Sequence, residues 1–438
     1  MAATLVFVAA LAGCGGNDAP AAAGTFDPDL PEELRCDIAT NACQNLVYDS
    51  VAAMLGASEF ERPSIRTISV DQHADEVRNG LDLDELTGED AETRGLRALG
   101  FIPPASESVA ATQAEYFITQ IAAYYSRGSR TITVVDRDYD NVDAQVLLAH
   151  ELIHAIQDNQ FELNAVTSGV NTEDGVMGVR GVIEGDAVYS SFAWAYDKLE
   201  YGPDEVDWDE IHARSTERAR DRAADPDVAL IDSASSFPYS YGFAFMTKAT
   251  QAGGLPGRAA QFDSPPATAL EVMLGFEAEL PMLDFPAAAP EAPVGDHALE
   301  YENRFGAWYV YGLLRRGGMS DYAAWLAALS ARGDNVAIYD DGTEVVAVWR
   351  VRFDHPLTAS ILRDGVNDEP DELTREAVLA DNEVFVFAAE AEDTLLAWAG
   401  QSPSLWTASI VSKDAPRWGG AVSVGNCWQS RQFSLPRP

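Results

Sequence analysis

Apolar and polar positions along the chain alternate between two periods. Ser106–Tyr125 carries Ala110, Ala114, Phe117 and Ile121 at helical spacing without a breaker, which predicts an amphipathic helix. Thr131–Val135 alternates β-branched residues after the turn sequence Ser126-Arg127-Gly128-Ser129, and predicts a strand hairpinned with Ala122–Tyr125. The polar stretch Asp136–Asp143 offers N-caps for a helix over Val142–Gln157, on which Leu148, Leu152 and Ile156 line one face. Further helices are expected over Ala42–Leu55, Asp174–Leu199 and Tyr241–Gln251, the last closing at Gly253-Gly254. Asp284–Asp296, rich in proline and alanine, reads as a boundary. Beyond it, helical patterns over Glu302–Leu314 and Asp321–Ser330 lead into strand-like runs at Val336–Tyr339, Val345–Phe353, Val384–Ala388 and Leu405–Val411. The pattern gives an α+β fold: a mainly helical core with a small antiparallel sheet, then a small C-terminal α+β domain.

Composition narrows the class. A chain of 438 residues is too long for one ordinary core, and its 47% apolar content is ample for globular folding. Seventy acidic residues against 29 basic ones give a net charge of -41. So negative a surface argues against nucleic acid and anionic lipid headgroups as partners. The acidic runs Asp82–Glu85 and Asp204–Glu210 lack the glycine and spacing of a calcium loop, and read as solvated surface. Trp308, Tyr309, Tyr311, Trp325 and Trp349 read as core. Cys36 and Cys43 enclose a short loop and can pair in an oxidising compartment, leaving Cys427 over unless it takes one of the two. Without a CxxC or Cys/His cluster, a cysteine-ligated zinc site is not expected.

The apolar run Leu5–Leu11 ends in Leu11-Ala12-Gly13-Cys14, which resembles the lipobox of bacterial lipoproteins. That resemblance implies a signal peptide over 1–14, cleaved before Cys14, and diacylation of the Cys14 thiol. The run is too short to span a bilayer. It departs from the pattern in lacking a basic start, because the first basic residue is Arg35. Residues 15–34 read as a flexible tether holding the folded part outside the membrane.

The strongest chemical signal is His150-Glu151-Leu152-Ile153-His154. Imidazoles four apart project from one helix face and can grip one ion, while the glutamate can reach a metal-bound water. This is the HExxH arrangement of two zinc ligands and a general base. Zinc needs a third protein ligand, and Glu184 in Val182-Ile183-Glu184-Gly185-Asp186-Ala187 is the best candidate, ahead of Glu162, Glu173 and Asp186. Gly185 and Ala187 are small enough for that helix to approach the first closely. Gln157 and Gln160 exclude the metzincin extension.

HExxH followed by a helical Glu-Gly-x-Ala resembles the gluzincin metallopeptidases, whose third ligand is that glutamate. His150–Phe161 reads HELIHAIQDNQF; then come EGDA from Glu184, Phe237-Pro238-Tyr239-Ser240-Tyr241-Gly242, Ser264-Pro265-Pro266 with Glu271, and Arg332-Gly333-Asp334. In this order they resemble a group of bacterial and archaeal surface lipoproteins with a gluzincin core, over roughly residues 100–355; Ile156 and Asn159 depart from the group's pattern. With the boundary read at Asp284–Asp296, the resemblance puts a metallopeptidase domain over 35–284 and leaves a C-terminal α+β domain over 297–438. It also implies one zinc per chain on His150, His154 and Glu184, with Glu151 as base. The oxyanion donor it implies is a tyrosine or histidine beyond the third ligand: Tyr239, in Tyr-x-x-Gly, or the nearby Tyr241, with His212 and His297 as fallbacks. Asp158 and Asp186 could orient an imidazole from behind, or be ordinary solvated charges.

The expectation is a lipid-anchored extracytoplasmic zinc metallopeptidase acting on a peptide or protein. Its rivals are a surface lipoprotein with a structural zinc and a partner-binding C-terminal domain, or a zinc hydrolase of non-peptide amides. A structural site would need a fourth protein ligand, and none is obvious near the motif.

Overall fold

The computed structural model describes residues 30–80, 90–103, 114, 117–119, 121–136, 141–279, 281–285, 295–367 and 375–401. Cys14, Cys427, Asp82–Glu85 and Leu405–Val411 lie outside the described residues. Helix α1 (Asn41–Met54) begins where the Thr40 hydroxyl accepts the Cys43 N–H, and a Cys36–Cys43 disulfide closes the loop before it. β1 (Ser64–Ser69) leads into α2 (Val70–Gly80), and α3 (Ala91–Ala98) follows an Asp90 cap.

The hairpin β2 (Ala123–Ser126) and β3 (Thr131–Asp136) forms as its alternation suggests. It takes Ala123–Tyr125 out of the helix expected over Ser106–Tyr125, most of whose earlier residues lie outside the described residues. Ala123–Ser126 spends its backbone on the ladder to β3, which buries Tyr124 and Tyr125. β1 joins the far side of β3 in parallel, so the sheet is mixed, in the order β1-β3-β2, with β2 at an edge.

Two long buried helices carry the motifs. α4 (Asn141–Phe161) packs between α1, β2 and α5 (Glu173–Lys198), which Thr172 caps. Then come α6 (Trp208–Ala224), one π-helical turn over Pro238–Gly242, and α7 (Phe243–Asp263). α7 breaks at Gly254, in keeping with the expected closure at Gly253-Gly254: Gly254 takes a φ of +60°, and a second helical stretch follows in a new direction with Pro256 in its first turn.

After the short α8 (Ala269–Leu274), β4 (Ala298–Asn303) occupies the start of the expected Glu302–Leu314 helix. Glu302 and Asn303 pair with Ala337 and Val336, and Gly306, at φ +77°, turns the chain into α9 (Gly306–Arg316). α10 (Asp321–Ser330), β5 (Ala331–Asp340), β6 (Val345–Phe353), α11 (Pro356–Asn367), β7 (Arg375–Ala380), β8 (Glu383–Ala389) and α12 (Glu392–Ala399) complete the described chain. The second sheet is antiparallel throughout, in the order β4-β5-β6-β8-β7. The protein is an α+β fold, mainly helical, with small sheets.

One apolar core gathers α1, β2, β3 and α4 with the C-terminal half of α5. A second joins the N-terminal half of α5 to the second sheet and α9, so residues on both sides of the 284–296 segment share it. Phe101 illustrates this: its ring meets Phe305, Tyr309 and Trp349 at centroid distances of 5.0, 5.1 and 5.2 Å. Trp308, Tyr309, Tyr311 and Trp349 are fully buried here, as core residues should be. Among the described residues, no helix is long and apolar enough to cross a membrane.

Candidate metal centre

His150 and His154 stand one turn apart on α4, and Glu184 reaches them from α5. Their donor atoms converge in a fully buried spot. His150 Nε2 and His154 Nε2 are 3.0 Å apart, and Glu184 Oε2 is 3.3 Å from each. Bonds of about 2.0–2.1 Å to a tetrahedral cation would set donors about 3.3 Å apart, so the spacing fits a metal ion. Neither oxygen of Glu184 has a well-aligned hydrogen-bond donor among the described residues, an expensive state for a buried carboxylate without a cation. Among the described residues this is the one group of three such side chains that converges to hold an ion.

Electrostatics agree with that geometry. Burial holds the His150 imidazole down at about 4, despite the opposing pull of the Glu184 carboxylate. Burial also disfavours the His154 imidazolium, but the neighbouring Glu184 carboxylate outweighs it and lifts His154 to about 9. Burial would raise Glu184, yet the two histidines hold its carboxyl well below the usual range. Cationic charge is therefore favoured at the point where the three side chains meet. Glu151, the next residue after the first imidazole, is fully buried beside them. Burial pushes its carboxyl up to about 8, opposed by the His154 charge, reinforced by Glu184 and opposed by the backbone N–H of Tyr125 on β2.

The other residues singled out from the sequence divide sharply. The Tyr239 ring lies against His150, with centroids 6.1 Å apart and planes tilted by 24°. Tyr241, two residues on, faces the other core. Its ring packs on Phe237, Trp308 and Trp325, and its hydroxyl accepts from Arg220 Nε at 2.7 Å. Of the two fallback oxyanion donors, His212 pairs with Thr247 and His297 packs on Trp398. Glu173 is half-buried at the start of α5 in the field of Arg180, and Glu162 sits in a left-handed turn after α4.

Asp158 touches no imidazole. It accepts from the Tyr125 hydroxyl at 3.0 Å and the Leu163 N–H at 3.2 Å, so it ties β2 to the end of α4. Asp186 reaches His154 only through Gln157, whose amide lies between them. Of the acidic run after Pro203, Asp207 caps α6, while Asp209 and Glu210 pair with Lys248 and Arg214 at the surface.

Two expectations change. Gly185 does not open the approach of α5 to α4: a Cβ there would overlap the Gly242 carbonyl of the π-helical turn. Gln157, noted in the sequence only because it is not glycine, is a direct partner of His154 Nδ1 at 2.8 Å. Its place three residues after a ligand on the same helix was the available signal.

No family model, curated protein or solved structure matches the chain. The meaning of the site rests on its own chemistry.

Proposed function

We propose that the chain is a zinc-dependent peptidase of gluzincin type, held outside the cytoplasmic membrane by a lipid on Cys14. The observation that carries this reading is the buried convergence of two imidazoles and one carboxylate beside a glutamate that ligates nothing. Imidazole and carboxylate suit zinc, and three protein ligands leave a coordination position open, as catalytic rather than structural sites do. A structural zinc would want a fourth ligand, and the described residues supply three.

Bound zinc supplies a Lewis acid for the scissile carbonyl and lowers the pKa of a water toward about 7. Glu151 takes a proton from the attacking water as its oxygen bonds to the carbonyl carbon. The same carboxyl then delivers that proton to the nitrogen as the C–N bond breaks. The Tyr239 hydroxyl donates to the carbonyl oxygen as negative charge gathers there. Peptide rather than another amide rests on the gluzincin resemblance, and the anchor rests on the lipobox resemblance. The partners are then a peptide or protein substrate and, through the acyl chains alone, a membrane.

The test is metal content together with casein and peptide-library cleavage, on protein lacking residues 1–14, beside Glu151→Gln. One zinc per chain in both, with cleavage only in the unsubstituted protein, supports the reading. Zinc in both with cleavage in neither turns it toward a structural site or a non-peptide amide. Absence of zinc overturns it.

A further inference from the structure

Behind His154 lies a chain of hydrogen bonds that ends on a helix without a metal ligand. The Gln157 amide donates from Nε2 to the Ile183 carbonyl at 2.9 Å and to Asp186 Oδ2 at 2.7 Å. Both partners only accept, so they occupy both amide hydrogens and turn Oε1 toward His154. Oε1 in turn can only accept, so the proton of the neutral imidazole resides on Nδ1, at 2.8 Å. His154 Nε2 is left with its lone pair facing His150 and Glu184, the state in which it can bind a cation.

Asp186 is itself fixed from outside this pair of helices. Arg258, on α7 beyond the kink, grips it at two points: Nε to Oδ1 at 2.7 Å and Nη2 to Oδ2 at 2.8 Å. Its Nη1 donates to Gln160 at 2.9 Å, and the guanidinium lies over the stacked rings of Phe161 and Phe262. Arg258 and Asp186 are both buried, so each side chain has few alternative partners and the geometry is firm. The backbone is built for this approach. Gly254 supplies the turn, and a Cβ on Gly257 would stand 2.6 Å from the Ala249 carbonyl, so the two halves of α7 fold closely past each other.

We propose that Arg258 is a positioning residue for the metal centre. By clamping Asp186 it fixes the orientation of the Gln157 amide, hence the tautomer of His154, and so sets metal affinity from a distance. The inference rests on the reading of His150, His154 and Glu184 as metal ligands, but not on the reaction they serve.

The experiment measures zinc affinity of the purified protein by competition with a chromophoric chelator, with folding followed by circular dichroism. In Asp186→Leu/Arg258→Leu the buried pair leaves together, which avoids stranding one charge. Zinc affinity should fall about ten- to a hundredfold. Adding Gln157→Glu to that background should restore most of it, because a carboxylate can only accept from Nδ1 and needs no clamp. Arg258→Lys, which keeps the charge and loses the two-point grip, serves if the double variant does not fold, and should weaken zinc several-fold. Unchanged affinity in a folded variant overturns the proposal, as does a loss that Gln157→Glu fails to rescue. Absence of zinc from the unsubstituted protein would instead remove the metal reading, and this inference with it.

Discussion

Gly185 on α5 and Gly242 in the π-helical turn meet backbone to backbone. A Cβ on Gly185 would overlap the Gly242 carbonyl, and one on Gly242 would overlap Gly181. Glycines four apart on α5 thus form the seat for the turn that carries Tyr239, which lies against His150. No flexible side chain is present to yield, so Gly185→Ala must push the turn away. The expected cost is about 1–3 kcal/mol in urea unfolding, with slower peptide cleavage and zinc content unchanged. An unaltered unfolding midpoint would show that the seat is not needed.

Tyr239 and Tyr241 separate cleanly as variants. Tyr239→Phe removes the donor proposed for the carbonyl oxygen, and should lower kcat by about a hundredfold or more with zinc retained. Tyr241→Phe removes an acceptor from Arg220 in the other core. It should cost about 1 kcal/mol of stability and leave kcat near its original value. Equal activity of the two variants would sink the assignment of roles.

What the sequence made legible was whatever depends on spacing along one element. His150, Glu151 and His154 lie within five residues of one helix, so the helical period alone puts both imidazoles on one face. The brackets of α5 and of β6 follow from long periodic runs for the same reason. Contacts between elements left weaker traces. β1 has few buried positions and pairs in parallel across a long connection, so its alternation gave no strong signal. β4 carries Glu300 and Glu302 in a stretch that also fits a helix, and only its register against β5 decides the matter. Arg258 is 72 residues from the carboxylate it holds, and no local pattern marks such a pair. The direction in which Gly185 faces was open for the same reason: small size shows that something comes close, but not what.

The loop between Cys36 and Cys43 docks on α4 as well as closing on itself. Gln145 on α4 donates to the Cys36 carbonyl, and Cys43 is buried in the core that contains the metal helix. A disulfide over a loop this short restricts the unfolded chain by about 2–3 kcal/mol. Cys36→Ser/Cys43→Ser should lose about that much in urea unfolding, and dithiothreitol should lower the midpoint of the unsubstituted protein but not that of the double variant. A reductant effect of equal size in both would place its cause elsewhere.

His212 is buried between α6 and α7, its ring edge-on to Phe243. The Thr247 hydroxyl donates to the Phe243 carbonyl, so its oxygen accepts from His212 Nε2 at 3.0 Å. Burial, aided by Lys248 and opposed by Asp209, holds this imidazole down at about 4, against 6.5 for a free histidine. Between those values the unfolded chain takes up a proton that the native state does not. Stability from this group is therefore complete above about pH 6.5, falls as pH drops toward 4, and levels off below that. Glu92 and Asp232, which burial pushes up to about 7, act in the opposite sense over the same range, so the acid response of the protein alone does not isolate the histidine. Comparison with His212→Gln does, since an amide can still donate to Thr247 and does not titrate. Going from pH 7 to pH 5, the unsubstituted protein should lose about 2 kcal/mol more than the variant. Parallel losses would mean that His212 is already protonated in the folded state, in conflict with its enclosure.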